Sequence, residues 1–139
     1  MNPMITYTGI ALLLLPITPW AADLQVNIEG LRHENGFVYV ALFNSEANFL
    51  NTEAMLSGKR LKASSTIRTW FSDLQPGTYA ISVYHDANGN GKLDKNLLGL
   101  PTESYGFSNN AVEIGRTPSF GQAAFTLENV DKTIAITLR

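Results

Sequence analysis

Apolar and polar residues alternate along much of this chain, and the alternation points to its architecture. In LQVNIEGL (24–31), Leu24, Val26 and Ile28 alternate with Gln25, Asn27 and Glu29. A period of two places the two sets on opposite faces of a strand with one buried side. The next run, FVYVALFN (37–44), is apolar on both faces and predicts a central strand covered on both sides. Between them RHENG (32–36) contains Asn35-Gly36, where positive φ costs little, and predicts a hairpin joining the two strands.

The alternation lapses in SEANFLNTEAMLSGK (45–59), where Phe49, Leu50, Met55 and Leu56 predict a short helix or a loop packed across the sandwich edge. Strand signals resume in RLKAS (60–64) and STIRTWFSDL (65–74). In the latter, Ile67, Thr69 and Phe71 share one face and Thr66, Arg68 and Trp70 the other. Pro76-Gly77 then predicts a tight turn. The strand after it (78–86) sets Tyr79, Ile81, Val83 and His85 against Thr78, Ala80, Ser82, Tyr84 and Asp86. Leu74-x-Pro76-Gly77-x-Tyr79 has the form of a tyrosine corner, in which a buried phenol bonds nearby backbone. AAFTLEN (123–129) and KTIAITLR (132–139) close the chain, with Ile134, Ile136 and Leu138 as a core face. About seven short strands with turns at this spacing predict an all-β, antiparallel, immunoglobulin-like β-sandwich. A closed barrel is the alternative.

Composition changes the picture at the N-terminus. Residues 4–17, MITYTGIALLLLPI, form an apolar run too short, and too soon interrupted by Pro16 and Pro19, to span a bilayer of roughly 30 Å. The run fits the core of a secretory signal ending at the small residues Ala21 and Ala22, although no Lys or Arg precedes it. The expected organisation is a signal peptide over 1–22 and a single domain over 23–139. That implies a periplasmic or secreted protein without a stable membrane span after cleavage. The chain has no cysteine, which excludes disulfides and a cysteine-borne lipid anchor. Its net charge of −2, with no basic stripe, argues against nucleic-acid binding.

Candidate chemistry concentrates in HDANGNGKLD (85–94). Counted from Asp86, the residues Asp86, Asn88, Asn90 and Asp94 stand at the first, third, fifth and ninth positions of a calcium-loop pattern. Gly91 occupies the sharp-turn position, and Lys92 can offer its carbonyl. The twelfth position is Leu97 instead of a bidentate carboxylate, and a strand enters the loop, so it is not an EF-hand. Glu103 or a water could complete a Ca2+ shell. With two acids in the loop and Lys92 and Lys95 beside them, the expected dissociation constant is weak, roughly 10⁻⁴–10⁻³ M. The competing reading is that Asn88-Gly89 and Asn90-Gly91 only make successive turns.

LGLPTESYGFSNNA (98–111) adds Glu103, Tyr105, Phe107, Ser108, Asn109 and Asn110 on a long Gly- and Asn-rich segment. Such residues suit a sugar- or peptide-binding surface, and they equally suit a loop that caps its own backbone. His85 reads as a core or rim histidine bonded to backbone. His33 lies far away in sequence, so a two-histidine zinc centre has little support. A triad of Ser108, His85 and Asp86 fails on geometry, because neighbouring strand residues point to opposite faces.

The blocks HDANGNGKLD and YGFSNNA, together with LFNS (42–45), PSF (118–120) and AAFTL (123–127), resemble a family of small exported bacterial proteins described as a domain of unknown function. The resemblance runs from about Leu24 to Leu138 and implies a periplasmic or secreted β-sandwich. A shorter likeness, around PGTY, is to transthyretin-like and calcium-loop sandwich modules. Fold likeness alone does not carry function. The function expected is a noncatalytic binding module with a weak Ca2+ loop at 86–94, acting on a cell-envelope ligand or protein. The alternatives are a cell-envelope hydrolase using the 85–111 region and a structural or assembly partner with an open sheet edge.

Overall fold

A computed structural model describes residues 20–139. Of the expected 1–22 signal peptide, residues 1–19 lie outside the described residues. The alternating segments become eight strands: β1 (Ala22–Glu29), β2 (Phe37–Phe43), β3 (Ser57–Lys62), β4 (Ile67–Leu74), β5 (Gly77–Asp86), β6 (Tyr105–Phe107), β7 (Phe125–Leu127) and β8 (Lys132–Thr137). They build two packed sheets, and the protein is an all-β sandwich. A three-stranded sheet runs β4-β1-β8. A five-stranded sheet runs β3-β2-β5-β6, with β7 also pairing β5. β1 begins at Ala22, one residue ahead of the expected domain boundary.

The two inner faces carry the residues that the period of two selects. Leu24, Val26 and Ile28 of β1 meet Val38, Val40 and Leu42 of β2, and Ile81 and Val83 of β5. Ile67 and Phe71 of β4 and Ile136 of β8 complete this core, as their alternation predicts. Burying each such side chain contributes about 1.5–3 kcal/mol against the entropy of ordering the chain. The tyrosine corner forms: the buried Tyr79 hydroxyl donates to the Gln75 carbonyl at 2.6 Å.

Two pairings differ from the sequence expectation. β1 and β2 are not a hairpin, because they lie in different sheets. β1 is flanked on both sides, by β4 antiparallel and by β8 parallel, so no edge remains for β2. That β1–β8 ladder is also an exception to an antiparallel fold. Gly36 does adopt positive φ, +74°, but it serves a crossing between sheets. A Cβ at Gly36 would stand 2.0 Å from the Asp86 carbonyl oxygen, so only glycine lets the crossing chain lie against the end of β5.

The five-stranded sheet is partly covered on its outer face as well. Ala80, Phe107 and Ala123 are buried there, packed by Phe49, Leu50 and Phe120. Of the 45–59 segment, expected as a helix or a packed loop, residues 45–56 are a series of turns that lays Phe49 on Phe43 and Phe107, whereas 57–59 already belong to β3, paired with β2. A short helix α1 (Phe120–Ala123) follows a Ser119–Gln122 capping box. Tyr105 and Arg139 exchange two backbone hydrogen bonds and stitch β6 to the end of the chain, closing one seam of the sandwich. Among the described residues no helix is long and apolar enough to cross a membrane.

Candidate functional site

The first candidate site grows from the end of β5. Opposed residues in a ladder share a face, so the pairs Phe37–Asp86, Tyr39–Tyr84 and Ala41–Ser82 all point outward, away from the core. Asp86 is therefore aimed under the loop that follows it and is fully buried there. Its carboxylate accepts the Asn90 N–H at 3.0 Å and the Gly91 N–H at 2.8 Å. Buried charge demands such partners. Gly89 and Gly91 take positive φ, +74° and +78°, and bend the backbone around that carboxylate.

The other predicted loop residues converge on Asp94. The Asn88 side-chain amide donates to one Asp94 carboxylate oxygen at 2.6 Å, and the Asn90 amide donates to the other at 2.8 Å. The carbonyl oxygens of those amides accept backbone N–H groups, Asn88 from Asn90 and Asn90 from Lys92. Tyr84 Oη donates to the Gly91 carbonyl at 3.1 Å from below. Burial, followed by the charges of Tyr39, Asp86 and Glu103, pushes the Tyr84 phenol up to about 12.

Glu103 has a different place from the one its charge suggests. One carboxylate oxygen accepts the Ala87 N–H and the other the Asp94 N–H, both at 3.0 Å. It clips the two ends of the loop together, and both oxygens are already engaged. Thr102 adds a backbone bond to the Asp94 carbonyl, so the 86–94 and 98–111 segments form one unit. Among the described residues no cluster of three or more His, Cys, Asp or Glu side chains is arranged to hold a metal. A cation here would rely on Asp86 and Asp94, two amides and the Lys92 carbonyl. That donor set fits a hard, oxygen-seeking ion and no softer one. The fit requires the Asn88 and Asn90 amides to turn oxygen inward, breaking their bonds to Asp94.

The remaining expected residues separate into two groups. Tyr105 and Phe107 lie on the outer face and line a cleft of about 580 Å3. Ser108, Asn109 and Asn110 instead hold the fold together. Ser108 Oγ is buried, accepts the Ile81 N–H and donates to the Ala123 carbonyl. The Asn109 amide donates to the Gln122 and Ala124 carbonyls, and Asn110 accepts the Thr137 N–H. His85 points inward, is buried, and bonds the Asn35 carbonyl through Nε2 at 2.6 Å. Tyr105 lines the cleft, whereas His85, Glu103 and Ser108 do not, and each of these three is bonded to backbone.

Sequence reasoning missed two arrangements. His33 and His85, far apart in the chain, bring their rings to 4.9 Å. The crossing of 32–36 over the end of β5 causes this, and no local pattern signals it. Second, Arg60, Tyr39, Tyr84 and Tyr105 are direct neighbours across four adjacent strands. Tyr39 and Tyr84 stack at 4.9 Å, and the Arg60 guanidinium bonds the Tyr39 hydroxyl.

A family model described as an uncharacterized protein conserved in bacteria (DUF2141) matches residues 26–135. The chain belongs to this family. The matched span runs from within β1 to within β8 and so includes both loops. No curated protein and no solved structure matches the chain.

Proposed function

We propose that this DUF2141 protein is an exported, noncatalytic binding module whose 86–94 loop takes one Ca2+ as an ordering ion. The working surface is the joined pair of loops, 86–94 and 98–111. One observation carries the reading. The Asn88 and Asn90 side chains converge on Asp94, while the Asp86 carboxylate holds the backbone of the same loop at Asn90 and Gly91, with Gly91 bent as a cation loop needs. The wall that this loop forms beside the cleft gives an ordering ion something to order. Export is supported by the apolar 4–17 run followed by the small residues Ala21 and Ala22.

The affinity is expected to be low for a physical reason. Without an ion the loop already satisfies its polar groups. Binding must therefore displace two amide–carboxylate hydrogen bonds, and only two carboxylates repel one another less once the ion enters. Those terms put the dissociation constant at roughly 10⁻⁴–10⁻³ M. The test is calorimetric titration of the folded domain with calcium, magnesium and zinc. A single calcium site in that range, with magnesium weaker, supports the proposal. No calcium heat at millimolar concentration overturns it.

A further inference from the structure

The outer-face cleft has a chemistry of its own. Its floor is β5 and β6, with Tyr84, Tyr105 and Phe107 presenting aromatic surface. Leu93, Leu100 and Pro101 line the cleft as well, as do residues of the Glu113–Thr117 turn. At about 580 Å3 it lies within the roughly 300–1,000 Å3 typical of small-ligand sites. Lys92 and Lys95 line it, and neither has an ion-pair partner among the described residues. Arg116, by contrast, is neutralised by Glu113.

Two further facts narrow the ligand. The asparagines that could have read sugar hydroxyls, Asn109 and Asn110, are turned away onto backbone groups of α1 and β8. The Tyr84 hydroxyl is likewise spent on Gly91. The rest of the lining is mainly apolar, with the small hydroxyls of Thr52, Ser82 and Thr117 and the two ammonium groups that have no ion-pair partner among the described residues. Beyond that lining, Leu98 and Ile114 stand 83% and 98% exposed on the tips of two tight turns. Backbone bonds and the Asn96 side chain hold the Leu98 turn in shape, so its exposed leucine is part of a built surface. Exposed apolar residues rimming a concave site mark a ligand groove.

We infer that the cleft binds one molecule of an anionic amphiphile, its aliphatic chain on Tyr105, Phe107 and Leu100 and its acidic head between Lys92 and Lys95. This rests on the binding-module reading but not on calcium, because Lys92 would give the ion only its backbone carbonyl. The test uses the full folded domain in chelator, titrated with decanoate below its micelle concentration, and followed by calorimetry and amide NMR shifts. Saturable one-to-one binding is expected, with shifts at Tyr105 and Leu100. Decyl maltoside, with the same chain and a neutral head, should bind roughly tenfold more weakly or worse, as loss of a charge-assisted contact implies. Lys92→Glu combined with Lys95→Glu should weaken decanoate to a similar degree, and Leu100→Asp should do so for both amphiphiles. These positions are exposed or partly exposed, and an unchanged circular dichroism spectrum would certify the fold.

Equal affinity for the neutral amphiphile overturns the charge assignment. Absence of any monomer binding overturns the inference, including the case where the domain only co-sediments with phosphatidylglycerol vesicles through its exposed turn tips. Decanoate binding in chelator with no calcium heat would sink the ion and leave the cleft. Calcium heat without decanoate binding would do the reverse.

Discussion

At the scale of single residues, two polar groups hold more of this molecule than their number suggests. Asp86 is a buried carboxylate whose two oxygens take the N–H groups of Asn90 and Gly91. Hydrogen bonds to a charged acceptor contribute roughly 1.5–3 kcal/mol each, but the freed donors sit near the surface and can recruit water. Asp86→Ala is therefore expected to cost about 2–3 kcal/mol in urea denaturation, and Asp86→Asn less, because one acceptor survives. A loss under about 0.5 kcal/mol, the scatter of surface substitutions, would mean the loop is not organised by this residue. Tyr79 is the second group. Burial raises its phenol above the ordinary value of 10.0. A group whose folded value is raised gives stability that is complete below the unfolded value and lost as pH climbs through the folded one. Stability should thus hold up to about pH 10 and decline above it, and Tyr79→Phe should flatten that decline. Phenylalanine also forfeits the bond to Gln75, at about 1 kcal/mol at neutral pH. Denaturation midpoints taken between pH 8 and 12 for both proteins decide the matter; parallel curves would refute it.

At the scale of elements, local pattern was a good guide to strands and a poor one to pairing. β2 reads as doubly covered and is so at Ala41 and Phe43, with Phe37 and Tyr39 half-buried on the outer face. The inward set of β5 is likewise legible from Tyr79, Ile81 and Val83. The partner of β1 is not. Turn chemistry at Asn35-Gly36 says that positive φ is cheap there, and is silent on whether the next strand returns beside the last or crosses to another sheet. The β1–β8 ladder joins residues more than a hundred positions apart, which no window of sequence can register. For the same reason Ser108 looked like a loop residue. Its neighbours Ile81 and Ala123 come from β5 and α1, and the sequence pattern cannot show that it bridges them. Gly36 and Gly89 test the crossing directly. Both have positive φ, but a Cβ at Gly89 meets nothing within 4 Å, whereas one at Gly36 runs into Asp86 backbone. Gly89→Ala should cost about 1–2 kcal/mol from strain alone. Gly36→Ala should cost more than about 3 kcal/mol or abolish folding, since backbone cannot step aside. Similar melting temperatures for the two would contradict the crossing geometry.

At the scale of the whole molecule, the sandwich is closed at one seam by Tyr105 and Arg139, and its β3 edge carries Lys59, Arg60 and Lys62. Charged edges discourage strand addition, which weighs against an assembly partner that works through β3. The outer face is where the molecule has put material beyond what its core requires. Two segments rich in Gly and Asn are held there by Glu103 and Thr102, at an entropic cost that a bound ion would offset. Linkage turns that into a stability argument. A ligand that binds only the native state, present at roughly ten to a hundred times its dissociation constant, adds roughly 1.4–2.7 kcal/mol. Millimolar calcium in that excess should then raise the melting temperature by several degrees. The rise should vanish in chelator and in Asp94→Ala, which removes the carboxylate on which both asparagines converge. Gly99→Ala, in the neighbouring turn and clear of Asn88, Asn90 and Asp94, should melt lower for reasons of strain yet keep the calcium increment whole. An increment lost equally in both variants would mean that calcium acts on general surface charge, and that the convergence at Asp94 is only the way this loop closes on itself.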